Sequence, residues 1–271
     1  MLNFQDKLRA VWEKNNSLLC VGLDPDITRF PSALEKRAES IFDFNKMIID
    51  ATHDLVCAYK PQIAYFAAYG AEEALARTIE YIHENYPQVP VILDAKRGDI
   101  GSTAQKYGEE AFVRYQADAV TVNPYLGYDS VAPFLEYKDK GVVLLCRTSN
   151  KGAADIQDLE IDGTPLYEKV AEMISSKWNS NNNCIIVVGA TWPEQMSRLR
   201  ALVGDMPFLV PGVGAQGGDV EKLVTAGKTT AGTGLLVSAS RSIIYAGSGD
   251  SFADDARSAA LDLRDLINKY R

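Results

Sequence analysis

Residues 90–123 read PVILDAKRGDIGSTAQKYGEEAFVRYQADAVTVN. The stretch opens on Pro90–Lys96 (PVILDAK), a short apolar run that turns charged at its end. Ser102–Gln116 follows with apolar residues at helical spacing, and Ala119–Asn123 (AVTVN) is a second apolar run. A run that is apolar at nearly every position reads as a strand buried on both faces. Strand, helix and strand in this order make a parallel unit with a helical crossover.

The unit recurs outward in both directions. Apolar runs precede it at Leu18–Asp24 and Val56–Ala64, and follow it at Gly141–Ser149, Cys184–Ala190, Phe208–Gly214 and Gly234–Ser240. Amphipathic stretches lie between or after them, among them Ala33–Asp54, Gly70–Asn85, Thr164–Ser180 and Phe252–Lys269. Strands alternating with helices predict an α/β fold with a parallel sheet. Eight strands are the number that closes a (β/α)8 TIM barrel, expected here as a single domain over residues 1–271. An open doubly wound sheet is the alternative arrangement of the same elements.

The chain has 271 residues, of which 46% are hydrophobic and 24% charged, enough apolar material for a large core. Its net charge of −8 excludes a generally basic surface, so no nucleic acid polymer is expected as a partner. No run approaches the roughly 18 apolar residues of a membrane helix, and no secretion signal is visible in MLNFQDKLRAVWEKNN. Neither membrane attachment nor export is therefore expected. Cys20, Cys57, Cys146 and Cys184 are scattered within apolar runs, which reads as buried, reduced thiols in a cytoplasmic protein. His53 and His83 sit in helix-like stretches away from any cysteine cluster, so neither suggests a metal site.

In a barrel of this kind the chemistry lies at the C-terminal ends of the strands. Those ends carry Asp24, Lys60, Asp94, Lys96, Asn123, Arg147, Ser149, Gln216 and Arg241. Each has an ordinary structural reading alone, as a turn residue or a lysine reaching solvent. Together on one rim they mark a site, because charge at the end of a buried strand is costly without a partner. Strand alternation puts Asp94 and Lys96 on one side, with Asp99 on the following loop. Asp99 also has a simpler reading, as an acidic cap for the helix beginning near Ser102. A lysine between two aspartates is favoured as an ammonium, which suits a proton donor better than a Schiff-base amine. Lys60 on the neighbouring strand extends this into a row of alternating charges. Such a row suits a reaction that expels a carboxylate and protonates the carbanion left behind.

After the seventh run the chain reads Pro211-Gly212-Val213-Gly214-Ala215-Gln216-Gly217-Gly218-Asp219. Gly212, Gly214 and Gly217 match the dinucleotide pattern G-x-G-x-x-G, but they follow the seventh strand and lack an acidic residue ~20 positions on. In a barrel the loops after strands 7 and 8 build a phosphate site, and Arg241 adds a bidentate fork to it. The polar stretch Asn150–Gly163 is long for a connection and predicts a lid or binding loop.

These residues resemble the orotidine 5′-phosphate decarboxylase family. The family's Asp-x-Lys-x-x-Asp motif stands as Asp94-Ala95-Lys96-Arg97-Gly98-Asp99, followed by Ile100 and Thr103. Asp24 matches its ribose aspartate, Lys60 the lysine ending its second strand, and Ser149 the serine that holds the pyrimidine. Pro211, Gly212, Gly214, Gln216 and Gly217 match its phosphate loop, and Arg241 its phosphate arginine. Asn123 belongs with these as a substrate-binding residue of the fourth strand end. The matches run from about residue 20 to 245, and the Asn150–Gly163 loop resembles the longer members of the family.

The resemblance implies decarboxylation of orotidine 5′-monophosphate to uridine 5′-monophosphate, with no metal and no organic cofactor. It assigns catalysis to Lys60, Asp94, Lys96 and Asp99, with Lys96 as proton donor. It also implies a homodimer in which Asp99, Ile100 and Thr103 act in trans. Two other readings compete. Related sugar-phosphate lyases share the Asp-x-Lys-x-x-Asp strand but hold magnesium, partly through a Glu where this chain has Lys60. A non-enzymatic phosphate binder on a barrel is the other, and it has no use for a carboxylate beside an anionic ligand.

Overall fold

The computed structural model describes residues 3–213 and 219–271. The eight strands are β1 (Leu19–Leu23), β2 (Ala58–Pro61), β3 (Ile92–Arg97), β4 (Ala119–Val122), β5 (Gly141–Arg147), β6 (Cys184–Val188), β7 (Phe208–Val210) and β8 (Leu235–Ala239). They pair in parallel in the order β2-β1-β8-β7-β6-β5-β4-β3. The two ends of that row meet through bridges of Tyr59 with Val91 and of Gln62 with Asp94. The sheet therefore closes on itself, and the open doubly wound alternative is excluded. Helices cover its outside, as expected for strands buried on both faces.

Each strand lies inside its predicted run except β3, which extends one residue past it to Arg97, and the differences have local causes. The second run is cut short because Pro61 has no N–H for a ladder, and Gln62 caps the helix Ile63–Ala67 through Ala64 N. The helix predicted from Ala33 begins at Ile41, after a single 3-10 turn. Residues 33–37 are mostly exposed, so no apolar face holds them in a helix. The helices Gly101–Glu109 and Leu166–Met173 each widen at their ends into a π-helical turn, Glu110–Arg114 and Ile174–Trp178.

The N-terminal segment forms the helix Phe4–Lys14, which packs at the N-terminal end of the barrel. Phe4 lies so close to Gly141, the first residue of β5, that a Cβ there would meet its ring at 2.6 Å. Lys7 reaches Asp118, just before β4, at 2.9 Å. His83 Nε2 (3.0 Å) and the amide of Val91 (2.8 Å) converge on the same carboxylate. One end of the barrel is thus fastened, and the polar rim lies at the other. Among the described residues no helix is long and apolar enough to cross a membrane.

Candidate active site

A cleft of about 1140 Å³ opens at the C-terminal ends of β2 to β7. Its floor carries the charged row. Asp94 is 6% exposed and Lys60 7% exposed. Lys60 Nζ donates to Asp94 Oδ2 at 2.9 Å, and Lys96 Nζ donates to Asp94 Oδ1 at 2.7 Å. Burial alone would raise the Asp94 carboxyl, but the two ammonium groups outweigh it and hold the carboxyl well below the usual carboxylate range. Burial would likewise lower Lys60, and the charges of Asp94 and Asp24 outweigh it, so its ammonium is held above the ordinary lysine value. The floor therefore stays charged at neutral pH, with Asp94 anionic between two cations.

Asp94 and Lys96 meet, though not by simple strand alternation. The register of β3 against β4 slips between Leu93 and Arg97, so residues 94–96 face Thr121. Lys96 takes a left-handed backbone, φ +44°. For a residue with a long side chain that conformation costs on the order of 1–3 kcal/mol and needs support from its surroundings. Here Thr121 Oγ1 supplies it by accepting from the amides of Ala95 (3.0 Å) and Lys96 (2.8 Å) while donating to Asp94 Oδ1 (3.0 Å).

The loop after β5 walls one side of the cleft, through residues that include Ser149, Asn150 and Ile156. It is latched rather than loose. Arg147 is fully buried, and its Nη2 donates to Asp158 Oδ2 at 3.0 Å. Its guanidinium lies 4.4 Å from the Trp192 ring centroid, and the Trp192 indole donates to the carbonyl of Thr148 at 3.1 Å. Gln157 Oε1 accepts from the amide of Thr148 at 2.9 Å. Ser149 follows directly and packs on Gly189, where a Cβ would come within 2.7 Å of the Ser149 Cα. The long connection expected after β5 is present as short helical turns over Lys151–Gln157 and a small hairpin, Glu160–Ile161 with Thr164–Pro165.

The other site residues named from sequence fall as follows. Asp24 ends the first barrel segment, and its Oδ1 is buried with no hydrogen-bond partner among the described residues. Asn123 and Pro211 line the cleft; Asn123 Oδ1 accepts from the amide of Tyr125 at 3.0 Å. Gly212 has φ +99°, a backbone that favours glycine. Arg241 is exposed at the end of β8, and no carboxylate pairs with it among the described residues. Gly214, Gln216 and Gly217 lie outside the described residues.

Asp99, Ile100 and Thr103 do not line the cleft of this chain. Asp99 Oδ1 accepts from the amide of Ile100 at 2.8 Å, and Ile100 is 55% exposed. Within one chain, then, the row consists of Lys60, Asp94 and Lys96, and Lys96 has one aspartate beside it.

A profile of the orotidine 5′-phosphate decarboxylase / HUMPS family matches residues 17–255. The chain belongs to that family. It is 65% identical over 272 residues to an orotidine 5′-phosphate decarboxylase of Cellvibrio japonicus, covering 100% of each. The OMP decarboxylase structure of Leishmania donovani superposes with a TM-score of 0.88 at 40% identity, covering 99% of each chain. The UMP synthase of Leishmania donovani gives a TM-score of 0.90 at 42% identity, and there this chain spans 57% of the longer protein.

Two features of this family member escaped the sequence reading. Thr121 looked like an ordinary strand former within AVTVN, and its only signal was a hydroxyl in a run otherwise apolar up to Asn123. Trp192 had no assigned role, because its contact with Arg147 joins two different strand ends. The cysteines stand as read: all four are buried and free, and burial pushes the thiols of Cys20, Cys146 and Cys184 up to about 12.

Proposed function

We propose that this protein decarboxylates orotidine 5′-monophosphate to uridine 5′-monophosphate and carbon dioxide, using side chains and no metal or organic cofactor. The observation that carries this reading is the Lys60–Asp94–Lys96 row, with Lys60 and Asp94 buried, in a chain of this family. The scissile carboxylate would sit beside Asp94, whose charge is held by the two lysine ammonium groups despite its burial and disfavours a second anion there. The bond from ring carbon to carboxylate breaks, carbon dioxide leaves, and the electron pair stays on the ring carbon. Lys96 stabilises that pair and delivers a proton from Nζ to the carbon. The resulting amine recovers its proton from solvent. Lys60 fixes Asp94 from the opposite side.

Substrate binding is assigned to the remaining rim. Asp24 Oδ1, a buried acceptor without a donor, suits a ribose hydroxyl. Ser149 and Asn123 face the base, and Pro211, Gly212, Gly214, Gln216, Gly217 and Arg241 take the phosphate. Binding energy from this remote phosphate serves to organise the reacting end. A magnesium-dependent reaction of related lyases is disfavoured by Lys60, whose ammonium occupies the place of a metal-binding carboxylate.

The proposal includes a homodimer. Tyr125, Tyr128 and Ile156 line the cleft at 49–76% exposure, and Ile100 and Leu126 are more than half exposed outside it, apolar surface that a second copy would cover. Asp99, Ile100 and Thr103 of one subunit would then complete the site of the other. Buried thiols agree with a cytoplasmic setting.

The test is a spectrophotometric assay with orotidine 5′-monophosphate in the presence of a chelator, with Lys96→Ala in parallel. Loss of the orotate band with formation of uridine 5′-monophosphate, abolished in the variant, is the expected result. No turnover by the native protein would sink the assignment.

A further inference from the structure

Thr121 is 1% exposed on β4 and faces the three-residue irregularity 94–96 of β3. A threonine hydroxyl has one proton to give and two lone pairs to receive with. Here all three are used, and each goes to the charged row. The proton goes to Asp94 Oδ1 (3.0 Å), and the lone pairs take the amides of Ala95 (3.0 Å) and Lys96 (2.8 Å). Asp94 Oδ1 is also the oxygen that receives Lys96 Nζ at 2.7 Å. One hydroxyl therefore ties the backbone of Lys96 and the acceptor of its ammonium to a single point on the neighbouring strand.

That tie matters because Lys96 is the least anchored member of the row. Its side chain is 49% exposed, whereas those of Lys60 and Asp94 are 9% and 8% exposed. Its left-handed backbone, φ +44°, is one that a lysine leaves readily without an external hold. The hold cannot come from the regular β3–β4 ladder, whose register is interrupted between Leu93 and Arg97.

We propose that Thr121 is a positioning residue for the decarboxylation, its hydroxyl setting where Lys96 Nζ stands relative to Asp94 and the reacting carbon. The assignment rests on Lys96 as the proton donor proposed above. Thr121 lies in the wall of the cleft but is 1% exposed, and its hydroxyl is fully engaged by Asp94 and the two amides, so its loss should act on turnover more than on binding.

The variants Thr121→Val, Thr121→Ser and Lys96→Ala test it, each measured for kcat, KM, affinity for uridine 5′-monophosphate and melting temperature. Val keeps the shape and removes the hydroxyl; Ser keeps the hydroxyl. Thr121→Val is expected to lose kcat on the order of 100-fold, the loss that a displacement of ~1 Å at a reacting group can cause. Its affinity for the product should stay within about threefold, since the groups that bind nucleotide are untouched. Thr121→Ser should recover kcat to within about fivefold of native, because it restores the same three hydrogen bonds. If Val does not fold, Thr121→Cys takes its place, with a thiol that is a weak donor and acceptor.

Near-native kcat in the Val or Cys variant, with Lys96→Ala inactive, overturns the role of Thr121 alone. So does a Ser variant as slow as Val, or parallel losses of turnover, product affinity and melting temperature. Retained turnover in Lys96→Ala overturns the reading of Lys96 and this assignment with it.

Discussion

Lys60 Nζ lies 2.9 Å from Asp94 Oδ2, with both side chains under a tenth exposed. Burial is the largest influence on Asp94 and acts to raise its carboxyl; the lysines reverse the outcome. Lys60→Met removes one of those two cations without opening a large cavity. The Asp94 carboxyl should then climb toward the ordinary range, so that protonation competes as pH falls. The acid limb of the kcat/KM profile should move to higher pH in the variant. Removing one partner of a buried ion pair typically costs about 3–5 kcal/mol, so the melting temperature should fall as well. An unchanged acid limb would show that Lys96 alone holds Asp94 ionised.

Subunit sharing predicts complementation. Lys96→Ala and Asp99→Ala homodimers should each be inactive. After subunit exchange, a heterodimer has one site with both lesions and one with neither. Random mixing of equal amounts makes about half the dimers mixed, with one good site in two, so about a quarter of native activity should return. Labelled subunits confirm exchange. Confirmed exchange with no regain would assign Asp99 to its own chain or to no site at all.

The strands were legible in sequence because each is buried on both faces, which leaves an unbroken apolar signature such as CIIVV at Cys184–Val188. Closure was expected from the count of eight strands; it is carried out by the pairing of β1 with β8, from opposite ends of the chain, and by the bridges of Tyr59 with Val91 and Gln62 with Asp94 between β2 and β3. The pairing of Asp94 with Lys96 was correctly expected from spacing, yet alternation was the wrong route to it. The chain reaches the same contact through an irregularity and a left-handed Lys96. Asp99 shows the opposite limit. Five residues from Asp94, it sits outside the cleft of its own chain, because the strand ends at Arg97 and the loop leads away. Thr121 was unreadable because threonine is at home in any strand, and only the tertiary partner reveals its three bonds.

The loop that follows Ser149 depends on Arg147, whose buried guanidinium meets Asp158, a side chain 42% exposed. Asp158→Ala leaves that guanidinium with Gln157, a carbonyl and the Trp192 ring. Because water reaches Asp158, the loss should be nearer about 1–2 kcal/mol than the full cost of breaking a buried pair. The main effect should be local. Residues 150–165 should become the first cleavage site in limited proteolysis, and KM should rise as Ser149 loses its fixed approach to the cleft. Identical proteolysis of variant and native protein would count against the latch.

The opposite end of the barrel makes a separate, purely structural prediction through Asp118. Burial would raise its carboxyl, but the hydrogen bond from His83, the charge of Lys7 and the Val91 amide bring it down to about 2. A carboxyl lowered by folding contributes stability above its unfolded value and loses it as pH falls through the folded one. From an unfolded value of ~3.9, the contribution is complete above about pH 5 and gone below about pH 2. Its size is about 2.5 kcal/mol, from roughly 1.4 kcal/mol per pKa unit. Asp118→Asn should remove that part of the pH dependence. Urea unfolding from pH 2 to 6 should therefore show two stability curves that lie closest at the acid end and separate by about 2.5 kcal/mol toward pH 5. Curves that stay parallel across the range would mean that the ties from Lys7 and His83 do not depend on the charge of Asp118.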